Sequence, residues 1–170
     1  MKNLNKWVIV GTFAIYALGA IFHFGYDVLG NNFITRFLFP VNESVFEHVK
    51  IVLYPSLIYF ISSYFYFKKK EIIGYEKILF SYIFFYLLTI ILMVGVFYVS
   101  KYSFRIESDF IQIAGLFVYE FLGMIFAKHY ITYGKKHSIL WFCIFSTVLI
   151  VSTTILSAFT PELPIFISKR

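Results

Sequence analysis

The chain has 170 residues, of which 60% are hydrophobic, 23% aromatic and 14% charged. Soluble domains carry about 45–50% apolar and about 25% charged residues, and a soluble fold of this size has too little interior to hide the excess. The composition therefore excludes a disordered chain, an ordinary soluble enzyme and a nucleic-acid module, even though the net charge is +6, because the lysines fall in short clusters between apolar spans.

A membrane-crossing helix needs about 20 mainly apolar residues. That rule predicts five spans, at roughly 7–26, 43–67, 78–100, 109–132 and 139–159. Helices are expected because lipid offers backbone groups no partner outside their own segment, and runs such as Ile90–Val94 lack the alternation of a barrel strand. The expectation is an all-α membrane bundle forming one domain over 1–170. The first apolar run extends through Phe24, longer than a secretory h-region, so it reads as an uncleaved helix. Trp7, Tyr98, Tyr102, Tyr133 and Trp141 fall near span ends, where interfacial anchors are expected. The lone cysteine, Cys143, lies within the last span and leaves no disulfide framework or cysteine-based zinc site.

Five spans put the termini on opposite sides. One side then carries Lys2, Lys6, Lys68, Lys69, Lys70, Lys77, Lys128, Lys135 and Lys136; the other carries Arg36, Lys101, Arg105, Lys169 and Arg170. The positive-inside rule assigns the N-terminus to the cytoplasm and the C-terminus to the outside of a bacterial cell membrane.

Residues 23–50 are unusually polar for a connection between two spans. His23 and Asp27 are four apart and share a helix face, after which Gly25, Gly30, Asn31 and Asn32 interrupt the helix; 31–41 could re-enter the membrane without altering the orientation. The next helix starts near Pro40–Ser44. On it Glu43, Glu47, Lys50 and Tyr54 fall within about 60° of one another, with Ser44 and His48 on the adjacent stripe. Lys50 then sits about 10 Å deeper than Glu43, and Pro55 follows, where a kink would free carbonyls. Ser44-Val45-Phe46-Glu47 also fits an N-terminal capping box, and two glutamates suit a first turn. Capping accounts for neither His48 nor Lys50, and an ionisable residue inside a span costs about 2.5–3.5 kcal/mol.

Mixed imidazole and carboxylate ligands suit Zn²⁺ or Mn²⁺, which makes His23, Asp27, Glu43 and His48 the candidate metal ligands. Glu43, Glu47 and His48 are the candidate catalytic groups; Lys50, Arg36, Asn42, Ser44 and Glu120 are the candidate substrate contacts. Glu120 lies at the middle of the fourth span and is expected to pair with Lys50 or His48. His129 lies about 13 Å further along that helix. The hydroxyls of Ser146, Thr147, Ser152, Thr153, Thr154 and Ser157 read as contacts between helices.

The run Pro40-Val41-Asn42-Glu43-Ser44-Val45-Phe46-Glu47-His48-Val49-Lys50, with His23-Phe24-Gly25-Tyr26-Asp27 and Gly30-Asn31-Asn32 upstream, resembles the signature of an uncharacterised family of small bacterial multi-span membrane proteins. Its pattern is PVNES-x-x-EH-x-K after H-F-x-Y-[DE], and a Trp often stands where this chain has Phe46. The resemblance spans 23–50 and implies a membrane bundle without implying an activity.

Three functions fit the pattern. The first is a membrane enzyme acting on a lipidic substrate from the outer side, by metal or acid–base chemistry. The second is a small transporter or solute-binding subunit with a polar relay through Glu120 toward His129. The third is an accessory protein docking a partner. The expected partners are the bilayer and a lipid or small-solute ligand; a homo-oligomer or larger membrane complex would suit the small span number, and nucleic acid is not expected.

Overall fold

The computed structural model describes residues 2–30, 32–72, 74–106, 108–159 and 161–167, and the backbone alone of Lys2 and Asp109. The readings placed on Asn31, Lys169, Arg170 and the Lys2 side chain lie outside the described residues. The chain is all-helical: α1 (Lys2–Leu29), α2 (Phe33–Leu38), α3 (Val45–Lys69), α4 (Tyr75–Tyr98), α5 (Asp109–Tyr133) and α6 (Ile139–Ala158), with a π turn at Val99–Ser103 and a short 3-10 turn at Pro164–Phe166. All but α2 are long and apolar enough to cross a membrane, so this is a multi-pass membrane protein.

Helices α1, α3, α4 and α5 close a ring in which each packs on two others. Helix α6 lies outside it, against α4 and α2, and the 3-10 turn packs on α3. The most apolar stretch of α3 is 72% buried, against 17–33% for the other four spanning helices. Helix α3 is the pillar, and the others give much of their apolar surface to lipid. Tyr82, Phe85 and Phe60 interlock at its centre through edge-on and tilted ring contacts, the arrangement that the ring quadrupole favours.

Two glycines set how α1 meets this pillar. A Cβ on Gly19 would stand 2.9 Å from the Ile51 carbonyl oxygen, the carbonyl that Pro55, lacking an N–H, cannot engage. The helices touch there, and His23, one turn beyond Gly19, is thereby turned toward α3. Gly30, at φ +86°, ends α1 in a left-handed cap. Asn32 then opens α2: its side chain accepts from the Ile34 and Thr35 amides while Thr35 returns a bond to the Asn32 amide. This connection is thus a capped six-residue helix whose Phe33 and Ile34 are exposed.

One anchor differs from expectation. Trp7 is 5% exposed, and its indole N–H donates to Ser63 Oγ at 2.8 Å while its carbonyl accepts from the Tyr59 hydroxyl at 2.7 Å. It ties α1 to α3 instead of facing the interface, because Ser63 offers the acceptor that lipid cannot. Trp141, Tyr102 and Tyr133 are exposed at span ends.

Replacing Gly19 by Ala should cost about 1–3 kcal/mol, since the obstacle is backbone that cannot rotate away. Gly95→Ala, with open space around it, should be neutral or stabilise by up to about 1 kcal/mol through helix propensity. Thermal unfolding of the detergent-solubilised pair, followed by circular dichroism, checks the contrast.

Candidate functional site

Two polar constellations share the first turns of α3. Helix α3 starts at Val45, with Ser44 as its N-cap and the Ser44 hydroxyl accepting the Glu47 amide at 3.2 Å. The capping box is half formed, because the Glu47 carboxylate is drawn elsewhere. Glu43 lies ahead of the helix, on a loop held from both sides. The Ser44 amide donates to Asn42 Oδ1 at 2.9 Å, and the Val41 amide donates to Glu47 Oε2 at 2.9 Å.

The first constellation is buried. Lys50, fully enclosed, donates to the Arg36 carbonyl, Glu47 Oε2 and Ser157 Oγ, each at 2.8 Å, and to the Phe39 carbonyl at 3.2 Å. An ammonium has three hydrogens, so the longest contact shares one. The Ser157 hydroxyl donates in turn to Glu47 Oε1. One turn deeper, the Tyr54 hydroxyl donates to the Phe37 carbonyl at 3.2 Å. The Arg36, Phe37 and Phe39 carbonyls belong to the end of α2, where a helix leaves its last carbonyls without intrahelical partners. The Glu47–Lys50–Tyr54 stripe thus caps α2, neutralises itself and fastens α6 through Ser157. The sequence suggested the stripe. Ser157, 107 residues from Lys50, read only as one of many helix-packing hydroxyls.

The second constellation is half exposed. It joins His23 near the end of α1, Glu43 on the loop and His48 in the first turns of α3. His48 Nε2 lies 3.3 Å from Glu43 Oε2, and His23 Nε2 lies 3.8 Å from Glu43 Oε1. The two imidazole centroids are 5.2 Å apart, and one ligand atom from each residue lies within 4.8 Å of the other two. His48 Nδ1 is 2.8 Å from the Ser44 carbonyl. A carbonyl can only accept, so Nδ1 carries the hydrogen and, in neutral His48, Nε2 presents its lone pair to the carboxylate. Two acceptors then face each other across 3.3 Å, a spacing that a cation or a proton must bridge.

Bonds of about 2.1 Å place the ligands of a tetrahedral zinc about 3.4 Å apart. The 3.3 Å between His48 Nε2 and Glu43 Oε2 matches that edge length. His23 Nε2 stands 3.8 Å from the other carboxylate oxygen, Oε1, so a single bound ion would draw the His23 ring and the carboxylate slightly together. A ligating histidine typically donates its other ring N–H to a carbonyl, as His48 does to Ser44. The group can hold a divalent ion on two imidazoles and one carboxylate.

The other predicted residues fall outside this group. Asp27 is exposed and does not join His23, Glu43 and His48. Glu47, Lys50 and Ser44 spend their side-chain polar atoms on the contacts just described, and Asn42 uses Oδ1 to hold the Ser44 amide. Arg36 has an exposed side chain on α2. Glu120 is fully buried, and neither carboxylate oxygen has a hydrogen-bond partner among the described residues. The expected pairing of Glu120 with Lys50 or His48 does not form: Lys50 has turned to α2 and α6, and His48 to Ser44 and Glu43.

Lys50→Met would strand Glu47 and the α2 carbonyls, and should cost about 3–5 kcal/mol, read as a lowered unfolding midpoint in detergent. Glu120→Met should raise the same midpoint, by about 1–3 kcal/mol, because it removes unpaired buried polar atoms.

Residues 1–170 match the model of a family described as a family of unknown function, DUF6512. The match extends over the whole chain, well beyond the 23–50 signature. No curated protein and no solved structure matches it.

Proposed function

We propose that this chain, which belongs to the family of unknown function DUF6512, is a membrane-embedded enzyme that holds a divalent metal, zinc or manganese, on His23, Glu43 and His48 and hydrolyses a lipidic substrate. The observation that carries this reading is the imidazole–carboxylate opposition at 3.3 Å, with the His48 tautomer fixed by the Ser44 carbonyl. When bound, the metal supplies Lewis acidity toward a phosphoryl or carbonyl oxygen and a water of lowered pKa.

The chain's own residues supply the rest. Ser44 holds the His48 ring in the ligating tautomer. The Asn42 and Glu47 bonds to the loop keep Glu43 within reach of both histidines, although its side chain is 60% exposed. The class of substrate follows from the surroundings. Ile21, Phe24 and Val28 form an exposed apolar stripe along α1 beside His23, and the Phe24 ring stands edge-on to the His23 imidazole at 4.9 Å. Phe33 and Ile34 extend the apolar surface over α2. An amphiphile lying in the leaflet can bring its head group to the site while its chains stay in lipid. A relay through Glu120 lacks comparable support, because its oxygens contact no polar partner among the described residues.

With the lysine-rich ends of the helices in the cytoplasm, the site faces the opposite side of the membrane.

Elemental analysis of detergent-purified protein, loaded with zinc or manganese and then desalted, tests the reading. Wild type and Glu120→Met should retain one metal per chain, while His23→Ala and His48→Ala should lose it. A wild type that retains no metal, or a His48→Ala variant that retains it fully, would sink the proposal.

A further inference from the structure

Helix α3 carries a second recess at its other end. Twenty-four steps of about 1.5 Å separate Val45 from Lys69 by about 36 Å, slightly more than the hydrocarbon thickness of a bilayer. The recess is therefore at the opposite membrane surface from His23, Glu43 and His48. It has a volume of about 280 Å³ and lies where the end of α3, the start of α4 and the α5–α6 connection meet.

Its lining divides by chemistry. Lys68 and Lys136 are the cations, Tyr64 and Tyr75 the aromatic walls, and Leu79 and Ile139 the apolar floor. The Lys68 ammonium lies over the Tyr64 ring, 5.8 Å from its centroid. Lys136 pairs with Glu76 at 2.6 Å, and that carboxylate raises the Lys136 ammonium above its ordinary pKa. The pair is exposed on both sides, so water screens it and a competing anion can exchange with the glutamate. Around the recess, residues 68–77 and 135–136 hold six lysines and two glutamates, leaving this rim strongly positive. The connection is also held in place: His137 stacks on Phe80 at 4.3 Å, and the Tyr130 hydroxyl donates to the Lys135 carbonyl at 2.5 Å.

The apolar floor decides between a soluble anion and a lipid. Ile139 is 54% exposed and continues into the exposed Leu140 and Trp141 on α6, so the recess opens sideways along a surface suited to acyl chains. We propose that it binds the head group of an anionic phospholipid, with the phosphate between Lys68 and Lys136 and an acyl chain over Leu79 and Ile139. Glu76 occupies the anion's place when the lipid is absent. The site is independent of the metal-centre reading: it lies at the other membrane surface and shares no residue with it.

Native mass spectrometry of the full chain tests this directly, using detergent-purified protein mixed with equal dioleoylphosphatidylglycerol and dioleoylphosphatidylcholine. Wild type should retain the anionic lipid preferentially. Lys68→Gln with Lys136→Gln should lower that preference by about fivefold per lysine, with helicity unchanged by circular dichroism. Glu76→Gln should raise it, whereas Glu71→Gln, the same charge change outside the recess, should leave it where it was. The proposal is overturned if wild type shows no preference. It is also overturned if Glu71→Gln matches Glu76→Gln, or if Lys69→Gln with Lys70→Gln costs as much as the recess pair, since the effect is then diffuse charge. Release of the lipid by inorganic phosphate at equal concentration would overturn it too, by assigning the recess to a free anion.

Discussion

A lysine ammonium enclosed in the wall of a membrane bundle is the constraint on which the rest of this structure depends. Lys50 can stay there only because oxygens from three separate parts of the chain converge on it: two carbonyls around the end of α2, the Glu47 carboxylate and the Ser157 hydroxyl. Moving an ion pair out of water costs several kcal/mol per ion, and the mutual attraction repays it only when every hydrogen and lone pair is used. What such a network contributes is geometry more than net stability. It fixes α2 against α3 and locks the last spanning helix to both, and an apolar pair in the same space would leave the α2 carbonyls without donors.

The half-exposed group inherits its shape from that network. Glu47 serves the buried side by pairing with Lys50 and the loop side by accepting the Val41 amide. Ser44 caps α3 with its hydroxyl and orients His48 with its carbonyl. A carboxylate as exposed as Glu43 would ordinarily sample many positions, and one on a freely moving loop would make a poor ligand. Here the residues on each side of it are tied down, and the Gly19 contact brings His23 across from α1. Preorganisation of this kind comes from neighbours that never touch the ligand.

Much of this is legible in the sequence. Apolar run length located the five spans because the bilayer imposes one length on all of them, and the polarity of 23–50 drew attention to the candidate site because ionisable groups in a span are expensive. The division of that segment into two groups was not legible. Helical periodicity put Glu43 and Glu47 on one face, but α3 begins only after Ser44, so Glu43 is free to leave the stripe and meet the histidines. Asp27 shares a helical face with His23 by spacing and is nonetheless exposed, because the loop that brings Glu43 in does so one turn away. Ser157 carried no local signal: a serine among helix-packing hydroxyls differs from its neighbours only through a contact made across the whole chain. Glu120 showed the reverse, since its mid-span position announced a buried carboxyl without revealing that Lys50 was already engaged.

The chain separations within the Lys50 network also order events during synthesis. Glu47 and Lys50 are three residues apart, so they can neutralise each other within a single turn as α3 leaves the ribosome and partitions into lipid. The oxygens of α2 precede them and are already present. Ser157 is made more than a hundred residues later. The Glu47–Lys50 pair can therefore enter the membrane already neutralised, and the final helix, made last, adds the Ser157 hydroxyl that donates to Glu47 Oε1.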